Sequence, residues 1–212
     1  MPAELLIAAF LNGLFMSLVL IVAIGAQNAY VLRQGLRREH VSAVVLFCAA
    51  SDAVLIGAGV AGMAQALKGR PMLATVLAGL GAAFLCAYGL RALWRSQHPG
   101  ALQAAGPQGA SLSRAAVVAQ AAGFTLLNPH VYLDTVLLVG SAGAQYAGLL
   151  KLWFVAGASV ASALWFTALG FGARLLAPVF ARPRAWQMLD ALIGGTMLVL
   201  AAMLARRALT GF

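Results

Sequence analysis

From Leu5 to Leu32 the chain runs for 28 residues without a charge, and no other feature limits its fold more. At about 1.5 Å per residue a helix of that length exceeds the roughly 30 Å of hydrocarbon in a bilayer. The run must tilt, bend or stop early. Gly25-Ala26-Gln27-Asn28 near its end supplies the means, because glycine and amide side chains favour irregular backbone. Five further apolar runs follow: Val41 to Leu67, Met72 to Leu90, one between Arg114 and Lys151, Leu152 to about Ala173, and about Ala191 to Ala205. Only 9% of the residues are charged, against about 25% in globular chains. The expectation is an all-α integral membrane protein of about six transmembrane helices. No basic segment precedes the first run, which reads as a retained span and not a signal peptide.

The fourth run contains Asn128-Pro129-His130-Val131-Tyr132-Leu133-Asp134. Pro129 removes a backbone donor and clashes with the carbonyl four residues back, freeing polar groups at membrane depth. Such groups are tolerated only against protein or a water-filled cavity. Asp134 is the only Asp, Glu, Lys or Arg between Arg114 and Lys151, and a carboxylate at span centre costs about 2.5–3.5 kcal/mol. Helices 1 and 4 are therefore expected to be broken, with the second break walling a substrate pathway.

Residues 96–113, rich in Gly, Ala, Gln, Ser and Pro, form a linker that divides a single transmembrane domain, 1–212, into halves of about 1–95 and 114–212. Three runs in each half suggest two inverted three-helix repeats. Asn28-Ala29-Tyr30-Val31 aligns with Asn128-Pro129-His130-Val131, Ser51-Asp52 with Ala161-Ser162, and Gly79 to Arg91 with Gly194 to Arg206. The loops after runs one, three and five hold nine Lys and Arg, from Arg33 to Arg184, against five on the other side, which places the odd-numbered loops in the cytoplasm and both termini outside. The formal charge of +9 is spread over run ends. That pattern fits anionic lipid headgroups and gives no clustered face for nucleic acid.

Asp52 and Asp134 read as the only carboxyls at span depth, and intramembrane acids mark ion or proton paths. Facing one cavity, they would attract a cation and could carry a proton. Gln27, Asn28 and Asn128 sit at the expected breaks, to satisfy frayed backbone, to contact substrate, or both. Pro129, His130 and Tyr132 flank the second break; Ser51, Ser162 and Trp165 are candidates to line the cavity. Glycines such as Gly57, Gly59, Gly62, Gly79, Gly81, Gly170, Gly172, Gly194 and Gly195 read as sites of close helix approach. Cys48 and Cys86 read as packing residues. No catalytic motif or metal-ligand spacing is present, so neither an enzyme nor a cofactor is expected.

The motifs Gly25-Ala26-Gln27-Asn28-Ala29-Tyr30-Val31-Leu32-Arg33-Gln34-Gly35, Ser51-Asp52-Ala53-Val54-Leu55-Ile56 and Leu127-Asn128-Pro129-His130-Val131-Tyr132-Leu133-Asp134-Thr135 resemble the lysine exporter family of bacterial L-lysine and L-arginine exporters. Ala161-Ser162-Ala163-Leu164-Trp165-Phe166 fits it too, and the motif positions show no departure. The resemblance implies an inner-membrane exporter of basic amino acids with functional aspartates in the second and fourth spans, which fall on Asp52 and Asp134.

The expected function is thus secondary export of L-arginine or L-lysine, coupled to proton or ion movement, with membrane lipid around the protein and a homodimer possible. A divalent-metal efflux carrier is the alternative, since carboxylates and backbone oxygens also suit hard cations. A channel or scaffold is a more distant one.

Overall fold

A computed structural model describes residues 2–22, 25–63, 71–97, 112–128, 131–176 and 178–210. Within them every regular element is helical: α1 (Ala3–Ile21), α2 (Ala26–Arg37), α3 (Val41–Ala58, prolonged by a π turn, Gly59–Met63), α4 (Pro71–Gln97), α5 (Arg114–Leu126), α6 (a π-helical stretch, Tyr132–Val139, continued by Gly140–Ala144), α7 (Leu149–Gly172) and α8 (Pro183–Thr210). Four stretches, Ala3–Ile21, Val41–Gly62, Leu149–Leu176 and Pro183–Arg206, are long and apolar enough to cross a membrane.

The first run stops early, as its length requires. α1 ends at Ile21, and α2 restarts at Ala26 behind Gly25 in extended conformation. The fourth run is also divided, into α5 and α6. Pro129 and His130 lie outside the described residues, as do Lys68, Arg70 and residues 98–111 of the linker.

Two expected boundaries are corrected. Arg33 and Arg37 belong to α2 and not to the loop after the first run, because the helix continues to Arg37 and turns only at Arg38 and His40, both left-handed with φ of 58° and 47°. The last helix starts at Pro183, whose fixed φ suits a first helical position, and so takes in Trp186 and Asp190.

The packing is that of a membrane protein. α1 buries Ala9, Gly13 and Ser17, one small stripe at helical spacing, and exposes Leu5, Ile7, Leu11, Phe15 and Val19. Small residues let backbones approach, while large apolar ones face hydrocarbon. The stripe lies on α7: a Cβ at Gly13 would strike the Phe154 carbonyl, and one at Gly157 the Phe10 carbonyl. Gly59, Gly81, Gly170 and Gly194 are at similarly close contacts, whereas Gly57, Gly62, Gly79, Gly172 and Gly195 have nothing where a Cβ would stand. The latter five are not packing sites among the described residues.

Contacts fix the helix directions. α1 and then α2 run parallel to α7, since Phe10 meets Trp153, Asn28 meets Trp165 and Gly35 meets Gly170. α3 runs antiparallel to α7, with Val41 and Val45 at Gly170 and Asp52 at Ser162. α4 and α8 form a long antiparallel pair in which Gly81 meets Leu204, Gly89 meets Met197 and Arg95 meets Asp190. Short polar ties hold the α2–α3 turn to the start of the second half: Leu112 N–H donates to Glu39 Oε1 at 3.0 Å, and Ser113 caps α5 by accepting from Ala116 N–H.

Candidate functional site

Both breaks open on one cavity of about 310 Å³. The first break contributes Ile21, Gly25, Gln27 and Asn28; the second contributes Asn128, Val131, Asp134 and Thr135. α3 adds Asp52 and Ile56, and Ser17 enters from α1. The structure thus brings together Asp52, Asp134, Gln27, Asn28 and Asn128, residues up to 107 positions apart in the chain.

Several of these polar groups are held by a neighbour on another element or across a break. Ser162 on α7 donates its hydroxyl to Asp52 Oδ2 at 2.6 Å, both side chains being buried. Asn28 donates to the carbonyl of Ile21 at 2.6 Å, so its side chain spans the gap between α1 and α2. Trp165 Nε1 donates to Asn28 Oδ1 at 3.2 Å and fixes which way that amide points. Tyr132 does the analogous work at the second break, its hydroxyl donating to the Leu126 carbonyl at 2.8 Å. Gln27 Nε2 is buried beside the Cys48 thiol, a weak acceptor, and has no oxygen partner.

These contacts refine the expected lining. Ser162 and Trp165 stand behind Asp52 and Asn28 and do not line the cavity; Ser51 does not line it either, being one residue, about 100° of helix, away from Asp52. Ser17 and Thr135 are lining hydroxyls that the sequence did not single out. Leu20, Ile56 and Val139 complete the wall. Among the described residues no Lys or Arg lines the cavity. A wall of two carboxyls, three amides, two hydroxyls and an apolar side suits a small zwitterion carrying an extra cation on an aliphatic stem. Among the described residues no three His, Cys, Asp or Glu side chains come together as a metal site.

A second cluster was not foreseen. Asp190 is a third carboxyl inside the helical bundle, fully buried, and it joins Arg33 Nη1 at 3.1 Å and Arg95 Nε at 3.3 Å. Arg33 is itself only 4% exposed. Between this cluster and the cavity lies an aromatic layer: Phe124 packs against Tyr30, Tyr88 and Phe84 at 4.9, 4.6 and 4.9 Å between centroids. Tyr30 donates to the Val117 carbonyl and accepts from Gln34, both inside the bundle.

The family model described as LysE type translocator matches residues 18–208. The "Putative amino-acid transporter YggA" of Aeromonas salmonicida is 44% identical over 205 residues, covering 95% of this chain and 98% of its own. The "Arginine exporter protein ArgO" of Yersinia enterocolitica is 40% identical over 207 residues, 96% and 99% of the two chains. The "Putative amino-acid transporter Rv0488" of Mycobacterium tuberculosis is 46% identical over 177 residues, 84% and 87%. No solved structure matches the chain.

Proposed function

This chain belongs to the LysE type translocator family, a family of membrane transporters and not of enzymes, and from that premise we propose that it exports L-arginine or L-lysine across the bacterial inner membrane in exchange for protons. The observation that carries the reading is the single cavity in which Asp52, Asp134 and the amides of both helix breaks converge. Asp52 or Asp134 takes the side-chain cation and the other the α-ammonium. The N–H groups at the start of α2 and the Asn128 region meet the α-carboxylate, because a helix start offers unsatisfied donors and a positive dipole end. Arginine gains most from such a site, its planar guanidinium matching a carboxylate. Moving one positive charge out against an inside-negative potential costs about 2.3 kcal/mol per 100 mV, so a compensating ion is needed. Inward proton transfer on the aspartates meets that need.

Six crossings in two inverted repeats are part of the same proposal. The alternating helix directions support them, with α1–α2, α4 and α7 running one way and α3, α5–α6 and α8 the other. So do two contacts expected at or about a pseudo-twofold axis. Asp52 and Ser162, equivalent in the sequence alignment of the halves, touch each other. Gly35 and Gly170 have Thr135 and Val60 as equivalents, and the neighbouring pair Val136 and Gly59 meets in the same close manner.

Counterflow of labelled arginine and lysine in proteoliposomes tests the site. Saturable exchange that Asp52→Asn and Asp134→Asn each abolish is the expected result. Exchange surviving both moves the site elsewhere, and transport that is electrogenic and indifferent to a pH gradient removes the proton antiport.

A further inference from the structure

The buried Arg33–Asp190–Arg95 cluster has no part in the cavity, yet it lies on the way out of it. Arg33 is five residues along α2 from cavity-lining Asn28, about 7.5 Å, and Asp190 is ten residues along α8 from cavity-lining Leu200, about 15 Å. α2 continues from Arg33 to Arg37 and Arg38, on the arginine-rich side that the charge pattern assigns to the cytoplasm. Tyr30, between Asn28 and Arg33 on α2, packs in one ring layer with Tyr88 and Phe124. Arg95 stacks over Tyr88 at 5.8 Å and so ties the ionic layer to the aromatic one.

We propose that the Arg33–Asp190 contact is the cytoplasmic gate of the transport pathway, with Arg95 as the standing counterion of Asp190. The three members are unequally mounted. Arg95 and Asp190 sit on α4 and α8, the tightly paired antiparallel helices, whereas Arg33 sits on α2, a half-helix that follows a break. When α2 swings away, Asp190 keeps Arg95, and Arg33 meets cytoplasmic water. Neither charge is orphaned in either state. A buried pair broken in place costs about 3–5 kcal/mol, while the same pair in water is worth only about 0–1 kcal/mol; hydration thus makes this layer reversible in a way that interlocked apolar side chains are not. Two guanidiniums on one carboxylate also leave the closed gate net positive, which opposes return of a cationic substrate.

The inference rests on the transport reading for the use of the gate, and its test does not depend on the substrate. In a Cys48→Ala, Cys86→Ala background, Ser17→Cys reports the cavity. Its modification by a membrane-impermeant maleimide is followed from the cytoplasmic face of inside-out vesicles. Adding Arg33→Gln is expected to raise the rate about tenfold, as an open state of a few per cent becomes a major one. Arg33→Lys, which keeps the charge, gives about a threefold rise and serves where the Gln variant does not fold. A rate equal to the parent's in a folded variant overturns the gate. A wild-type protein with no counterflow of arginine or lysine overturns the proposed function, and the labelling ratio still decides the gate.

Discussion

Which aspartate meets the substrate's side-chain charge can be read from a cycle between protein and ligand. The perturbations are Asp52→Asn and the change from arginine to citrulline, its neutral isostere. Ser162 takes one of the acceptor sites of Asp52 Oδ2 at 2.6 Å, so Oδ1 is the less encumbered oxygen and at least one charge-assisted bond is open to the ligand. One charge-assisted hydrogen bond is worth about 1.5–3 kcal/mol, or about 10- to 150-fold in Kd. Asp52→Asn should therefore weaken arginine by that factor and change citrulline by less than about threefold, within the ±0.5 kcal/mol of an uncoupled site. Purified protein in detergent and a direct binding assay suffice. If arginine and citrulline weaken together, Asp52 does not pair with the guanidinium. Asp134→Asn run through the same cycle then tells whether the other carboxyl does.

Further perturbations follow from single contacts. Ser162→Ala removes the donor that aims Asp52 and should lower arginine affinity about 3- to 10-fold without changing the helical circular dichroism, because one buried hydrogen bond is worth about 0.5–1.5 kcal/mol; unchanged affinity would make Ser162 a bystander. Trp165→Phe releases the Asn28 amide held at 3.2 Å and should reduce counterflow more than it reduces melting temperature. Gly157→Val drives a side chain into the Phe10 carbonyl and should cost about 1–3 kcal/mol as overpacking, seen as a lower melting temperature in detergent. Asp190→Asn leaves the buried Arg33 and the part-buried Arg95 guanidiniums without their carboxylate and should destabilise by about 3–5 kcal/mol, far more than Arg95→Gln at the cluster's more exposed edge.

The cavity was legible because its residues are out of place in the chain. A carboxyl inside an uncharged run, or a proline where a helix should continue, has few cheap explanations in hydrocarbon. Asp52, Asp134 and the two breaks therefore stood out, and all of them except the undescribed Pro129 are seen at the cavity or the breaks beside it. Arg33, Arg95 and Asp190 did not stand out, because charges at run ends are what headgroups and topology already account for. Linear order does not show that three run ends meet. A signal existed: Trp186, Asp190, Ile193, Met197 and Leu204 keep one helical face buried, and following that period through Asp190 places the acid inside. Ser162 and Trp165 were picked for the right neighbourhood but the wrong layer, since spacing along α7 gives a face and not a depth.

Taken with the gate, the placement of charge gives the pathway a direction. Among the described residues carboxyls line the cavity and no Lys or Arg does, while the proposed gate layer holds two guanidiniums against one carboxylate. A cation in the cavity is attracted where it sits and repelled by that closed layer. At an effective dielectric constant of 20 a unit charge 10 Å from an uncompensated one feels about 1.7 kcal/mol, enough to disfavour return more than tenfold. Under the proposed proton antiport, exit is favoured once a proton on an aspartate replaces the cation, which would couple release to proton arrival without requiring the two ions to share one binding step. Arg95→Gln, by making the closed layer neutral, should leave arginine binding intact while steepening the loss of accumulated gradient, and a gradient held as well as the parent's would show that the charge of the layer is incidental.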